Sequence, residues 1–243
     1  MSTSPFKFLD SFSKEDKDIF FGRDNEIESL YHKIFESKIL LVYGVSGTGK
    51  SSLIHCGLAN KFDDADWLPI NIRRGANMID SISQALEKNA MTKLKSKDSI
   101  VKQLQSLYLD HFKPIYLVFD QFEELFIFGS KSEKEEFILQ VKEVVESDIQ
   151  CRFIFVIREE YLANITDFER EIPSFLENRV RIEKMSIANA KQAIEGPCRV
   201  HNIPLEEGFS DDLLARLSQK TGEVELTYLQ VYLDKVFRTA SRD

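Results

Sequence analysis

The chain is poor in the residues that mark several large classes of protein. It has three cysteines among 243 residues, Cys56, Cys151 and Cys198. An odd and scattered set offers neither a disulfide framework nor zinc spacing, and it suits a reducing cytoplasm. The four histidines, His32, His55, His111 and His201, show no ligand spacing either. No apolar run approaches the length that crosses a bilayer, so no membrane partner is expected. The opening Met1-Ser-Thr-Ser-Pro-Phe6 lacks the basic and apolar parts of a secretory signal, which again points to the cytoplasm. Positive charge is in deficit too: Lys and Arg number 32 against 40 Asp and Glu, a formal net charge of -8. Proteins that grip a phosphodiester backbone carry basic surface, so nucleic acid is disfavoured as a partner. No internal repeat or low-complexity tract occurs, which excludes a solenoid.

The most informative stretch that is present runs from Ile39 to Ser52. Five apolar residues, Ile39 to Tyr43, read as a buried strand, and Gly44-Val-Ser-Gly-Thr-Gly-Lys-Ser51 fits the phosphate-loop pattern G-x-x-x-x-G-K-[ST]. Gly44, Gly47 and Gly49 let backbone N–H groups of the loop, Ser46 and Thr48 included, turn inward as a nest for phosphate oxygens. Lys50 reaches the β- and γ-phosphates, and Ser51 offers a hydroxyl to Mg²⁺. The helix opening at Lys50, with Ser52 in its first turn, points its positive end at the anion. Leu53, Ile54 and Leu58 supply the apolar positions of that helix.

Around this stretch, strands alternate with amphipathic helices. Trp67 to Ile72, Pro114 to Phe119, Cys151 to Ile157 and Arg179 to Glu183 read as further strands. Helical stripes appear at Ile27/Leu30/Tyr31/Ile34, Ile79/Ile82/Leu86, Ile100/Leu104/Leu107 and Phe137/Val141/Val144. The fold class expected is α/β: a P-loop NTPase with a parallel, doubly wound five-stranded sheet. From about Ile187 helical patterns take over, with a break expected at Gly196-Pro197. A helix capped by Ser210 and ending near Lys220 and Gly222 follows, then a stripe at Leu226, Leu229, Leu233 and Phe237. The expected division is a nucleotide-binding domain over 1–185, with an aromatic-rich N-terminal segment 1–25 packed onto it, and a small helical lid over 186–243.

In such sheets the ligand sits at the carboxyl ends of the strands. Asp120 closes the strand ending Leu117-Val-Phe and is placed to hold Mg²⁺ opposite Ser51. Glu123 or Glu124, on the next turn, would orient or deprotonate an attacking water, and Glu123 is favoured. Arg158 closes another strand at the same edge; it either senses γ-phosphate charge or pairs with Glu159 or Glu160. Arg73, Arg74, Arg179 and Arg181 read as charged surface or an oligomer contact.

Taken in order, Phe20-Phe-Gly-Arg-Asp-Asn-Glu26, the phosphate loop, Leu117-Val-Phe-Asp-Gln-Phe-Glu-Glu-Leu-Phe126, Val156-Ile-Arg-Glu-Glu-Tyr-Leu162 and Ala193-Ile-Glu-Gly-Pro197 resemble the STAND class of signal-transduction ATPases. The likeness is to the bacterial group often joined to WD40 or other sensor repeats, with NACHT and NB-ARC relatives, and it covers nearly the whole chain. It implies that Phe21, Gly22 and Arg23 line the adenine side. It also implies that Asp120 is the magnesium aspartate, Glu123 or Glu124 the catalytic acid, Arg158 the sensor, and Pro197 part of a lid near the base. The function implied is a switch that binds ATP/ADP with Mg²⁺, closed with ADP and oligomerising with ATP, in a defence or regulatory setting. Where the family often has Leu-Pro-Leu-Leu-Gln, this chain has Leu226-Thr-Tyr-Leu-Gln230, so no proline contacts adenine there. Winged-helix and sensor or effector regions are not in this chain, which reads as the ATPase module of a longer protein. Two alternatives stand beside the switch: an AAA-like ATPase acting on nucleic acid, and a scaffold stabilised by nucleotide that does not hydrolyse it.

Overall fold

The computed structural model describes residues 4–94, 98–218 and 223–240. Contacts divide the chain into two compact units, one formed by residues 30–44 and 62–181, the other by residues 1–29, 45–61 and 182–243.

The first unit is a five-stranded sheet and its covering helices. Strands β1 (Ile39–Gly44), β2 (Leu68–Ile72), β3 (Ile115–Phe119), β4 (Cys151–Arg158) and β5 (Arg179–Arg181) lie in the order β2-β3-β4-β1-β5. Every pairing is parallel. A parallel sheet is covered on both faces, so its strands must be apolar throughout rather than alternating. All residues of β3 are buried, as is most of β4. Phe153 and Phe155, two apart in β4 and so on one face, stack at 5.7 Å between ring centroids. Phe119, Phe122, Phe137, Phe168 and Phe175 join them in one core, closed by the helices Met78–Asn89, Ile100–His111 and Lys131–Glu146. Burial in this core raises the Cys151 thiol to about 12, which keeps it unreactive.

Because β1 is inserted between β4 and β5, the direction of strand addition changes there. Register places Gly44 beside Arg158 and Ile72 beside Phe119. The first residues beyond β1, β2, β3 and β4 therefore leave one edge of the sheet together, at a switch point where ligands of α/β sheets bind.

The second unit gathers the N-terminal segment, the phosphate loop with its helix, and the C-terminal helices Ile187–Val200, Phe209–Ser218 and Leu226–Ala240. Phe6 is buried among Met185, Ala190, Ile194, Leu214, Leu229 and Leu233, and the Lys7 N–H donates to Gln230 Oε1 at 3.2 Å. Phe12 packs on Phe20 at 5.2 Å, whereas Phe8 and Leu9 are exposed.

Two expectations for the C-terminal part need correcting. The helix does not break at Gly196-Pro197 but runs through Pro197 to Val200. Proline forfeits one backbone bond, here in the last turn, while the buried stripe Ala190, Ala193, Ile194 and Cys198 continues across it and outweighs the loss. Ser210 is not a cap either: the helix starts at Phe209 and buries Ser210 in its first turn, with Asp212 N–H donating to the Gly208 carbonyl at 2.9 Å. Lys220 and Gly222, expected at its end, lie outside the described residues.

Candidate nucleotide site

In the second unit the loop after β1 turns at Gly47 (φ 78°) and Gly49 (φ 84°), left-handed values that side chains resist. The helix then opens at Lys50 as an α-turn, Lys50–Ser52, and widens to a π-turn over Leu53–Gly57. Lys50 is buried, and its Nζ donates to the Val45 carbonyl at 2.8 Å, folding the ammonium back over the loop. Thr48 Oγ1 donates to the same carbonyl at 3.1 Å. Ser46 and Gly47 are exposed at the tip, and Ser51 is half-buried in the helix's first turn. Ser52 Oγ accepts from the Phe12 N–H at 3.1 Å, so it anchors the N-terminal segment.

The entry motif converges on this loop. Arg23 is buried, and its Nη2 donates to the carbonyls of Thr48 at 2.9 Å and Glu183 at 3.2 Å. Its Nη1 is paired with Glu26, while its Nε is buried without a partner among the described residues. A Cβ on Gly22 (φ 81°) would lie 2.3 Å from the Asn189 carbonyl oxygen, and one on Gly196 would lie 2.3 Å from the Phe21 ring. Phe21 and Gly22 thus sit against the helix that carries Pro197, Phe21 at Gly196 and Gly22 at Asn189. Helix Leu226–Ala240 reaches the loop at its first turn: a Cβ on Gly47 would meet Thr227 Oγ1 at 2.9 Å, and one on Gly49 would meet a Leu226 methyl at 3.5 Å.

In the first unit the edge of the sheet gathers acids and arginines. Asp120 is 8% exposed, its Oδ1 accepts from the Gln121 N–H at 3.0 Å, and its Oδ2 accepts from Arg73 Nη2 at 3.0 Å. Gln121 follows at φ 57°, and the chain turns into the short helix Glu124–Phe128. Glu123, 3% exposed, is held at both oxygens by one residue: Arg158 Nε at 3.0 Å and the Arg158 N–H at 3.3 Å. Glu124 is half-buried. The ion pair of Arg158 is thus made with Glu123, not with Glu159 or Glu160, and Glu159 pairs instead with Arg181.

Arg73 is exposed, as expected of charged surface, whereas the Arg74 side chain is not. Arg74 is half-buried and bidentate to Glu133, with Nε–Oε1 at 2.8 Å and Nη2–Oε2 at 2.9 Å. Glu133 Oε1 also accepts from the Met78 N–H at 2.7 Å. The guanidinium of Arg74 holds the Glu133 carboxyl below its usual range, and burial opposes this less strongly. The pairing of Arg73 with Asp120 is the part of the site that the sequence alone did not reveal. The signal was available, since Arg73 follows β2 as Asp120 follows β3.

Ser51 and Asp120 supply hard oxygens, the donors Mg²⁺ prefers. Among the described residues no cluster of three or more His, Cys, Asp or Glu could hold a metal alone. Asp120, taken within its own unit, carries two carboxylate oxygens and is by its chemistry a donor for an ion that takes few protein oxygens and completes its shell with phosphate and water.

A glycine-rich loop leaving the strand at the switch point, with an acid beyond the strand two places away, defines a P-loop NTPase of the Walker type. Similar solved structures agree in fold. A Walker-type ATPase of Pyrococcus abyssi matches with a TM-score of 0.65 at 17% identity, over 97% of this chain and 72% of that one. The ORC2 protein of Aeropyrum pernix, solved with ADPNP and ADP, gives 0.67 at 14%, over 90% and 63%. Domain III of the replication initiation protein DnaA of Thermotoga maritima gives 0.60 at 14%, over 95% and 90%. No curated protein matches in sequence. The family model described as novel STAND NTPase 1 matches residues 5–243, and the chain belongs to that family. No helix among the described residues is long and apolar enough to cross a membrane.

Proposed function

We propose that the chain is a cytoplasmic ATP-binding, slowly hydrolysing switch module of a STAND-type signalling protein. It is closed with ADP, opened by exchange for ATP, and oligomerises when open, in a bacterial defence or regulatory setting. One observation carries this reading: the entry motif and the first turn of helix Leu226–Ala240 pack on the phosphate loop within a single compact unit. A helical segment in contact with that loop, over 186–243, can act as a lid that registers which nucleotide occupies it.

In this reading Lys50 exchanges its bond to the Val45 carbonyl for the β- and γ-phosphates, and the loop N–H groups cradle the rest. Phe21, Gly22, Arg23 and Pro197 serve the adenine side. Ser51 and Asp120 would hold Mg²⁺, which when bound neutralises phosphate charge. Glu123, or Glu124 beside it, takes the proton of the attacking water, and Arg158 exchanges Glu123 for the γ-phosphate. Slow turnover is a prediction of this reading: an arginine finger is worth about 10³–10⁵ in rate, and none of Arg73, Arg74, Arg179 and Arg181 is given that role. The test is the nucleotide carried through purification, released by denaturation and chromatographed. Near-stoichiometric ADP in the wild type and none in Lys50→Ala is expected; retained ATP turnover in Lys50→Ala would sink the assignment.

A second reading, an ATPase acting on nucleic acid, is favoured by one observation. The ORC1 protein of Aeropyrum pernix, solved in complex with DNA, is similar in fold with a TM-score of 0.58 at 14% identity. That likeness leaves the acidic balance as the only argument against DNA. Stimulation of hydrolysis by duplex DNA, falling steeply with salt, would establish it.

A further inference from the structure

Arg73 and Arg74 are adjacent in sequence, yet they do different things. Arg74 is locked: its guanidinium forks onto Glu133 and also donates to the Ala76 carbonyl at 3.0 Å, while Glu133 accepts the Met78 N–H. These bonds fix the backbone that follows β2. Arg73 is not locked. Its side chain is 57% exposed and reaches Asp120 Oδ2, on a carboxylate that is 10% exposed. Parallel pairing of β2 with β3, continued by the Asp120 N–H donating to the Ile72 carbonyl at 3.1 Å, brings the two residues side by side.

A divalent cation and a guanidinium compete for the same carboxylate oxygen. Resting on the ATPase reading above, the geometry points to Arg73 as a built-in counter-ion that holds the Asp120 carboxylate in the metal-free state and must yield Oδ2 when Mg²⁺ binds. Arg73 is then a positioning residue that sets how much Mg²⁺ enhances nucleotide binding. Its exposure allows it to swing away at little cost. The Arg74–Glu133 clamp keeps its backbone in place so that it returns when the metal leaves. An Arg–carboxylate pair with one exposed partner is worth up to about fivefold in an equilibrium.

The experiment measures ADP affinity by calorimetry on the full chain, in EDTA and in saturating Mg²⁺, for wild type, Arg73→Gln and Arg73→Lys. The quantity read is the ratio of the two affinities, a coupling factor insensitive to a general loss of nucleotide binding. The factor rises about fivefold in Arg73→Gln and stays near wild type in Arg73→Lys, which keeps the charge. An equal factor in all three proteins, or a lower one in Arg73→Gln, overturns the assignment while leaving the ATPase reading intact. Failure of the wild type to bind ADP under either condition overturns the ATPase reading, and this inference with it.

Discussion

Replacing Glu133 by Ala removes one half of a buried ion pair and strands the other. The two side chains are 8% and 9% exposed, so the Arg74 guanidinium would keep its burial and lose both bonds to the carboxylate. Breaking such a pair from one side costs about 3–5 kcal/mol. At roughly 2–4 °C per kcal/mol for a chain of this size, the Tm falls by about 6–20 °C. Joint replacement, Arg74→Met with Glu133→Leu, recovers most of this, because neither charge is left buried. Recovery is incomplete because the Met78 N–H loses its acceptor, at about 1–3 kcal/mol for an unsatisfied buried donor. The pH dependence has a definite sign. The folded-state pKa of Glu133 lies below its usual 4.5, so the pair's contribution is complete above that value and is lost as the pH falls through the lowered one. The gap between wild type and Glu133→Ala, followed by thermal denaturation from pH 7 to pH 3, should therefore narrow on acidification. A Tm within about 2 °C of wild type at pH 7, or a gap that does not change with pH, would refute the argument.

Three further substitutions follow from the site. Glu123→Ala should keep nucleotide binding but slow turnover by about 10²–10⁴, read by single-turnover hydrolysis; unchanged turnover would move the role to Glu124 or favour the non-hydrolysing scaffold. Gly22→Ala places a methyl 2.3 Å from a backbone oxygen at a left-handed φ, and should cost about 2–4 kcal/mol and most of the bound nucleotide. Gly196→Ala drives a methyl into the Phe21 ring and should weaken ADP binding more than it lowers the Tm, whereas Gly208→Ala, which meets nothing within 4 Å, serves as the control for left-handed strain alone. Equal ADP affinity in Gly196→Ala and wild type would remove Phe21 from the nucleotide site.

Much of the fold is legible in the sequence because a doubly covered sheet writes itself as apolar runs. Pro114 to Phe119 and Cys151 to Ile157 have no polar alternation to confuse with anything else, and β3 and β4 lie where those runs do. The phosphate loop is equally plain, because left-handed turns at Gly47 and Gly49 tolerate few other residues. Less legible is whatever depends on packing between distant segments. Pro197 reads locally as a stop, and only the buried stripe around it carries the helix onward. Glu133 sits in Lys131-Ser-Glu-Lys-Glu-Glu136, which looks like a solvated face, yet it is buried against an arginine 59 residues away. Arg73 reads as surface until β2 is known to pair with β3. Charge in a sequence has no address; strand order supplies one.

The unit that holds the phosphate loop is assembled from residues 1–29, 45–61 and 182–243, whereas the sheet unit lies between residues 30 and 181. Chains emerge from the ribosome N-terminus first, and contacts between remote segments close late and slowly. The sheet can therefore form while the loop's C-terminal packing partners are still unmade, Arg23 from the N-terminal segment being already in place. Until Leu226 and Thr227 emerge, the newborn chain presents a finished β1 and a loop held from its N-terminal side alone. If helix Leu226–Ala240 serves as the lid proposed above, a nucleotide that found this loop early would meet it before that lid, and loading during synthesis would follow the cell's prevailing ATP and ADP.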